Sequence, residues 1–429
     1  MNFNTLEFIL FLPFACVGYW LLSKKARTVF LLLASWLFYS VFQPRAIFLL
    51  MGETVFTWLC AKNMTQENKK TLLTLCMTVV IGILALCKYT GVFLVTIGFG
   101  GNSGLLLPAG ISFYSFQMLG YIIDVYRGDI EAEQGFVDYA LFVSFFPQLV
   151  AGPIERSKNL LRQLKEDKHF DSQYLVDGME IMLRGYFKKI VIADGLAVFV
   201  DRVYGNASAA VGLEIIIATM LFGIQILCDF SGYSDIAKGS AKMLGIDLME
   251  NFRHPYDATS VRDFWRRWHV SLSSWFSDYV YIPLGGSHKH HIRNIWVVFL
   301  LSGIWHGAGW TFVAWGAIHA LYMTLESHGI GNRFTALAGI MFGWLFFRAT
   351  SMTDAMALIQ RMIVGWNVFP YTLTEAVKII LMVLAWYLID HCEDKTSPIV
   401  KFYLLLGILV GGIMLLQSGG QNAFIYFQF

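Results

Sequence analysis

With 429 residues, 56% of them hydrophobic, 16% aromatic and only 14% charged, the chain carries more apolar surface than a soluble core can hide. Its mean hydropathy of +0.57 points the same way. A formal net charge of +2 says nothing about nucleic acid, but no Arg/Lys-rich tract looks built to bind a phosphate backbone, so no nucleic-acid partner is expected.

The expected class is all-α, a polytopic membrane protein, because about 20 apolar residues cross a bilayer as a helix. In chain order the apolar runs are Leu6–Leu22, Val29–Val41, Ile47–Ala61, Leu72–Leu86, Leu105–Val125, Phe136–Val150, Ile181–Val200, Leu213–Cys228, Ile295–Leu325, Ala336–Phe347, Val377–Ile389 and Phe402–Leu416. They predict about 10 to 12 transmembrane or re-entrant helices. The first run lacks a basic segment before it and a small-residue cleavage site after it, so it reads as a retained helix. Ile295–Leu325 would extend roughly 45 Å as one helix, too long for a bilayer, and Gly303, Gly307 and Gly309 offer places to break it.

Lys24, Lys25 and Arg27 follow the first run, and Lys62, Lys69 and Lys70 follow the third, which places those loops in the cytoplasm and the N-terminus outside. Basic residues flank Phe136–Val150 on both sides, so this segment is expected to dip into the membrane and return. Asp229, Asp235 and Lys238 read as a polar break that ends the helix starting at Leu213. Phe252–Ser287 mixes charges with tryptophans and tyrosines and reads as an interfacial or re-entrant helical region. With no linker, low-complexity tract or repeat, residues 1–429 are expected to form a single membrane-embedded domain, with core motifs in 105–326 and an aromatic tail at 421–429.

Chemistry concentrates in two places. His306 and His319 sit inside the long run Ile295–Leu325, where an ionisable side chain is costly and usually faces a bundle interior or a water path. Trp315 and His319 lie four apart and share one helix face. A neutral imidazole there can serve as a general base, and it can equally be a buried histidine satisfied by its surroundings. In the second cluster Asp263, Arg266, Arg267 and His269 fall close together; the arginines can fork onto phosphates or form an internal ion-pair network. His288, His290 and His291 lie in a hydrophilic loop beside Lys289 and Arg293, and six scattered cysteines form no C-x-x-C pair; no metal site is expected from either. Hydrolase-elbow, P-loop and dinucleotide fingerprints are absent from the sequence.

Several stretches together resemble the membrane-bound O-acyltransferases, and within them the bacterial alginate O-acetyltransferase branch. They are Pro108–Gln117 with Ile123–Gly128, Phe146–Arg156, Tyr233–Ala237, Asp263–Leu272, Tyr281–Gly286 and the two-histidine run Ile304–His319. The likeness is strongest from Pro108 to Ala320, and the chain is short for that branch after Glu326. It implies a multi-pass protein of the bacterial inner membrane with helices around a central tunnel. It further implies acyl transfer from acetyl-CoA, bound at the cytoplasmic face as a donor substrate rather than a resident cofactor, to a polysaccharide or other envelope glycan.

His319 matches the family's catalytic histidine, and His269 the second histidine of this branch. His306, Trp305 and Trp315 would line or orient the tunnel, while Arg266, Arg267 and Asp263 would serve the donor. The resemblance also implies an extracytoplasmic partner, an acetyltransferase similar to SGNH hydrolases, besides the surrounding lipids. Tyr426, the one hydroxyl in the last nine residues, is expected to relay the acyl group or dock that partner, or to anchor the tail at the interface. Two alternatives stand beside this reading: a transporter or flippase for an envelope precursor, and a transferase of D-alanyl or another acyl group.

Overall fold

In a bilayer each backbone polar group must find its partner within the protein, and a helix supplies that partner from its own segment. The computed structural model describes residues 1–96, 107–150, 152–363, 366 and 370–391, and among these the regular structure is helical with no strand. The protein is an all-α, multi-pass membrane protein. Among the described residues Lys24–Phe42, Lys69–Gly91 and Gly212–Lys242 are long and apolar enough to cross a membrane by length and composition. The described residues pack as two compact units, Met1–Met182 with Ser234–Glu250, and Leu183–Tyr233 with the residues from Asn251 onward.

The first unit holds α1 (Leu6–Leu21), α2 (Lys24–Phe42), α3 (Ala46–Lys62), α4 (Lys69–Thr96), α5 (Ile111–Arg127), α6 (Phe136–Ser144), α7 (Phe146–Leu149), α8 (Leu160–Lys165) and most of α9 (Ser172–Tyr186). Its core includes the aromatic cluster of Phe8, Phe11, Phe38 and Phe146. The Phe136–Val150 segment is two helices rather than one. The chain turns at Phe145, where Pro147 follows in the first turn of α7, and Phe146 N–H donates to Ser35 Oγ at 3.1 Å. Gln117 donates to the Phe142 carbonyl at 2.7 Å and accepts from Gln148 at 2.7 Å, which ties α5 to both helices of this segment.

In the second unit, a π-helical stretch at Phe187–Ala193 leads into α10 (Asp194–Tyr204), then α11 (Gly212–Lys242) as far as Tyr233, α12 (Val261–Arg267), α13 (Val270–Phe276), α14 (His291–His306), α15 (Trp310–Ser327), α16 (Arg333–Arg348), α17 (Met352–Arg361) and α18 (Leu373–His391). The expected polar break after Cys228 is not there: α11 runs on to Lys242. The reason is local pairing. Lys189 Nζ donates to Asp229 at 2.6 Å and to Asp194 at 2.9 Å, so the buried carboxylate of Asp229 is met without ending the helix. Phe252–Ser287 is helical in pieces: a 3-10 turn (Pro255–Asp257), the short helices α12 and α13, and a π-turn (Ser277–Tyr281).

The long run Ile295–Leu325 breaks where its glycines allow. Gly307 and Gly309 flank the turn between α14 and α15. Gly303 and Gly316 serve another purpose. A Cβ at Gly303 would stand 2.4 Å from the Phe312 carbonyl oxygen, and one at Gly316 would stand 2.4 Å from that of Phe299. Only glycine lets these helices approach so closely, which is the small-residue packing common between membrane helices.

Candidate active site

His319 projects from α15 into the interior of the second unit and is 1% exposed. Three aromatic rings enclose it. Trp315, one turn earlier on the same face, lies 4.9 Å away between centroids; Trp265 of α12 lies at 5.0 Å edge-on; Phe299 of α14 stacks at 6.0 Å. On α16, Gly343 faces the ring, and a Cβ there would stand 2.7 Å from His319 Nε2. Among the described residues neither ring nitrogen of His319 has a hydrogen-bond partner. The buried indole nitrogens of Trp265 and Trp315 have none either. A buried polar group without a partner normally costs about 1–3 kcal/mol, so three such side chains packed together form a site that a polar ligand would satisfy.

The helix that brings Trp265 to His319 is held at its start from two directions. Ser260 caps α12 by accepting from Asp263 N–H at 3.0 Å, and the Glu326 carboxylate accepts from the N–H groups of Val261 and Arg262, each at 3.0 Å. Glu326 belongs to α15, so the helix carrying His319 also fixes the helix carrying Trp265. Four residues apart on α12, Arg262 and Arg266 share a face. They line a cavity of about 450 Å³ together with Trp265, Phe299, Ser302 and Tyr281. Trp265 and Phe299 are thus shared between the wall of this cavity and the enclosure of His319. Guanidinium groups and an aromatic inner wall suit a ligand with phosphates at one end and a small uncharged group at the other.

His269 is 1% exposed and occupies the left-handed backbone region (φ 43°, ψ 53°) at the start of α13. For a residue with a Cβ this conformation costs of order 1–3 kcal/mol and marks a position where the surroundings fix the geometry. Its ring meets Phe230 edge-on at 4.6 Å and Trp305 at 6.3 Å. Trp305 adjoins His306 at 4.8 Å, His306 adjoins Trp315 at 5.0 Å, and Trp315 adjoins His319. The three histidines and two tryptophans picked out in the sequence therefore form one continuous aromatic chain. His269 and His319 occupy different positions along it, joined through Trp305, His306 and Trp315.

The predicted donor residues divide. Arg266 lines the cavity, whereas Arg267 Nε donates to Asp263 at 2.9 Å, and this bond holds the Asp263 carboxyl below its ordinary range. Arg267 and Asp263 thus serve α12 itself. Sequence reasoning missed Arg262 and Trp265; the spacing of Arg262 four residues before Arg266 was the signal for the first. Also missed was Gly343. His291 of the histidine-rich loop lines the cavity and bonds the Tyr281 hydroxyl at 2.7 Å through Nδ1. Tyr426 lies outside the described residues.

Comparison with known proteins identifies the family. The model of the MBOAT, membrane-bound O-acyltransferase, family matches residues 132–329, which contain all of α12 to α15. Over its whole length the chain is 32% identical to a probable alginate O-acetylase AlgI of Pseudomonas putida, all of which is covered. The chain belongs to the membrane-bound O-acyltransferase family. This membrane-bound O-acyltransferase is also 30% identical, over its full length and 97% of the other, to a peptidoglycan O-acetyltransferase of Helicobacter pylori. Across half its length it is 27% identical to a teichoic acid D-alanyltransferase of Bacillus subtilis, covering 58% of that protein.

Proposed function

We propose that the chain is an O-acetyltransferase of the bacterial inner membrane that takes an acetyl group from cytoplasmic acetyl-CoA and delivers it to an extracytoplasmic envelope glycan. The observation that carries this reading is His319. It is fully buried, lacks a hydrogen-bond partner on either nitrogen among the described residues, and lies beside two indole N–H groups in the same condition. In the proposed reaction a ring nitrogen of His319 accepts the proton of an acceptor hydroxyl while its oxygen attacks the thioester carbonyl. Charge developing on the carbonyl oxygen is met by the indole N–H of Trp265 or Trp315. Collapse breaks the C–S bond, and the leaving sulfur of CoA takes the proton back from His319. The products are an ester and free CoA thiol. Arg262 and Arg266 would bind the phosphates of the donor, and His269 would act further along the aromatic chain, orienting the acceptor.

The acceptor is proposed to be a polysaccharide or peptidoglycan, following the substrates in the names of the relatives above. An extracytoplasmic transferase similar to SGNH hydrolases would complete the transfer, with Tyr426 relaying the acyl group or docking that partner. Near-normal acetylation of the end product by Tyr426→Phe would rule out the covalent relay and leave docking or interfacial anchoring. A second reading, transfer of D-alanyl, is supported by the teichoic acid D-alanyltransferase relative. It predicts that acetyl-CoA is not consumed.

The test is consumption of acetyl-CoA thioester by the purified protein with its partner supplied. His319→Ala should lower turnover by about 10²–10⁴-fold, the usual worth of a positioned general base, with the protein still monodisperse. Unchanged turnover in both His319→Ala and His269→Ala would refute the site assignment.

A further inference from the structure

A second cluster of ligand-bearing side chains lies in the same unit, outside the acyl-transfer machinery. His254 and Asp257 come from the loop between α11 and α12, and His391 is the last residue of α18. One ligand atom from each lies within 4.8 Å of the other two. Asp390 stands beside them, its Oδ2 3.1 Å from His254 Nδ1. The imidazoles of His254 and His391 are 5.2 Å apart between centroids.

The hydrogen-bond accounting at His391 points to a cation. Its Nδ1 is 3.1 Å from the Tyr387 carbonyl oxygen, and its Nε2 is 3.1 Å from Asp257 Oδ2. Both oxygens can only accept, the carbonyl by its nature and the carboxylate when ionised. Nδ1 must therefore donate to Tyr387. Nε2 can then face Asp257 in two ways: with a second proton on the ring, or with a metal ion shared between nitrogen and carboxylate. At His254 Nδ1–H donates to the Asp390 carboxylate, so in the neutral ring the other nitrogen carries the lone pair. One nitrogen of each imidazole is thus fixed by an oxygen acceptor, the supporting arrangement typical of metal-ligating histidines. His254 is also held in the left-handed region (φ 46°, ψ 63°) immediately before Pro255, where a non-glycine residue is strained.

We propose that His254, Asp257 and His391 form a binding site for a divalent transition-metal ion of the Zn²⁺ class, with Asp390 in support. Two imidazoles with carboxylate suit Zn²⁺ better than Mg²⁺ or Ca²⁺, which prefer all-oxygen shells. Bonds of about 2.1 Å give tetrahedral edges of roughly 3.4 Å, so the cluster closes by little more than about 1 Å on binding. The ion would clip the end of α18 to the loop that leads into α12, and so to the segment presenting Arg262, Trp265 and Arg266. The site is separate from the histidine-rich loop at 288–291.

The test uses the full-length protein in detergent, free of any histidine tag and dialysed against metal-free buffer, titrated with Zn²⁺ alone. Wild type and a His288→Ala/His290→Ala/His291→Ala control should each bind one ion per chain. His254→Ala and His391→Ala should each weaken that binding by at least about 10-fold. Co²⁺ should give wild type the intense visible bands of a four-coordinate site, a measurement that does not depend on the variants folding. Unchanged affinity in both single variants, no binding by wild type, or a pale six-coordinate Co²⁺ spectrum would each overturn the proposal and leave two hydrogen-bonded His–Asp pairs.

Discussion

Two polar clusters are buried in the second unit, and they differ in how their hydrogen bonds are met. Lys189 reaches two carboxylates, Asp229 at 2.6 Å and Asp194 at 2.9 Å, and its ammonium lies 5.7 Å from the Tyr233 ring centroid. His319, Trp265 and Trp315 lie among aromatic rings with their ring nitrogens unmatched among the described residues. Burying polar groups within a membrane protein is expensive in either case. In the first cluster the expense is offset internally, so the cluster serves the fold. In the second no described residue meets it, which is the condition a polar ligand would satisfy. Intramembrane polarity alone is therefore a poor marker of an active site, because the two clusters share it and differ in how it is met.

The comparison can be broken most forcefully at Lys189. Lys189→Met removes the cation from buried Asp229 and half-buried Asp194 and should destabilise the protein by about 3–5 kcal/mol, read by thermal unfolding in detergent. Replacing Lys189 and Asp229 together by apolar residues should recover part of that loss, since the pair rather than the charge is what the fold needs. An active-site role for Lys189 would instead show as lost turnover at unchanged stability.

Next in size is Gly343→Ala. The new methyl would meet His319 Nε2 and displace the ring, and a misplacement of about 1 Å can cost around 10²-fold in turnover. Thioester consumption should fall while KM for the donor stays near its wild-type value. At the cavity, Arg266→Ala should raise KM for acetyl-CoA by roughly 10-fold or more, the worth of a charge-assisted hydrogen bond. Arg267→Ala should leave KM nearly unchanged, because Arg267 is paired with Asp263.

The smallest effect concerns that pair. The Asp263 carboxyl is held below its ordinary range by Arg267, so the native state favours its ionised form. Its contribution to stability is present above the unfolded-state value of about 4 and is lost as pH falls through the lower native value. The pair is partly solvated, so Asp263→Asn should cost less than about 1 kcal/mol near neutral pH, and the difference from wild type should vanish in acid.

Local rules made much of this site legible in advance. The break near Gly307 and Gly309, the shared face of Trp315 and His319, and the helical class follow from spacing and hydropathy. The Asp263–Leu272 stretch, singled out by its motifs, supplies Trp265 and Arg266 to the pocket beside His319. What stayed hidden depends on residues distant in sequence. Asp229 looked like the end of a helix because Lys189, 40 residues earlier, gives no local sign that it will neutralise it. Arg266 and Arg267 were indistinguishable until α12 formed and turned one toward the cavity and the other toward Asp263. Trp265 and Gly343 meet His319 only through packing of α12 and α16, which no periodicity encodes.

The central claim is that the nitrogens of His319, Trp265 and Trp315 await the reacting groups. A structure of the protein with a non-hydrolysable acetyl-CoA analogue tests it most directly. The account predicts the acyl carbonyl oxygen within about 2.6–3.2 Å of an indole nitrogen of Trp265 or Trp315, His319 within one hydrogen-bond length of the reacting centre, and the donor phosphates on Arg262 and Arg266. An analogue seated elsewhere, with His319 and both indoles still without a ligand partner, would contradict it.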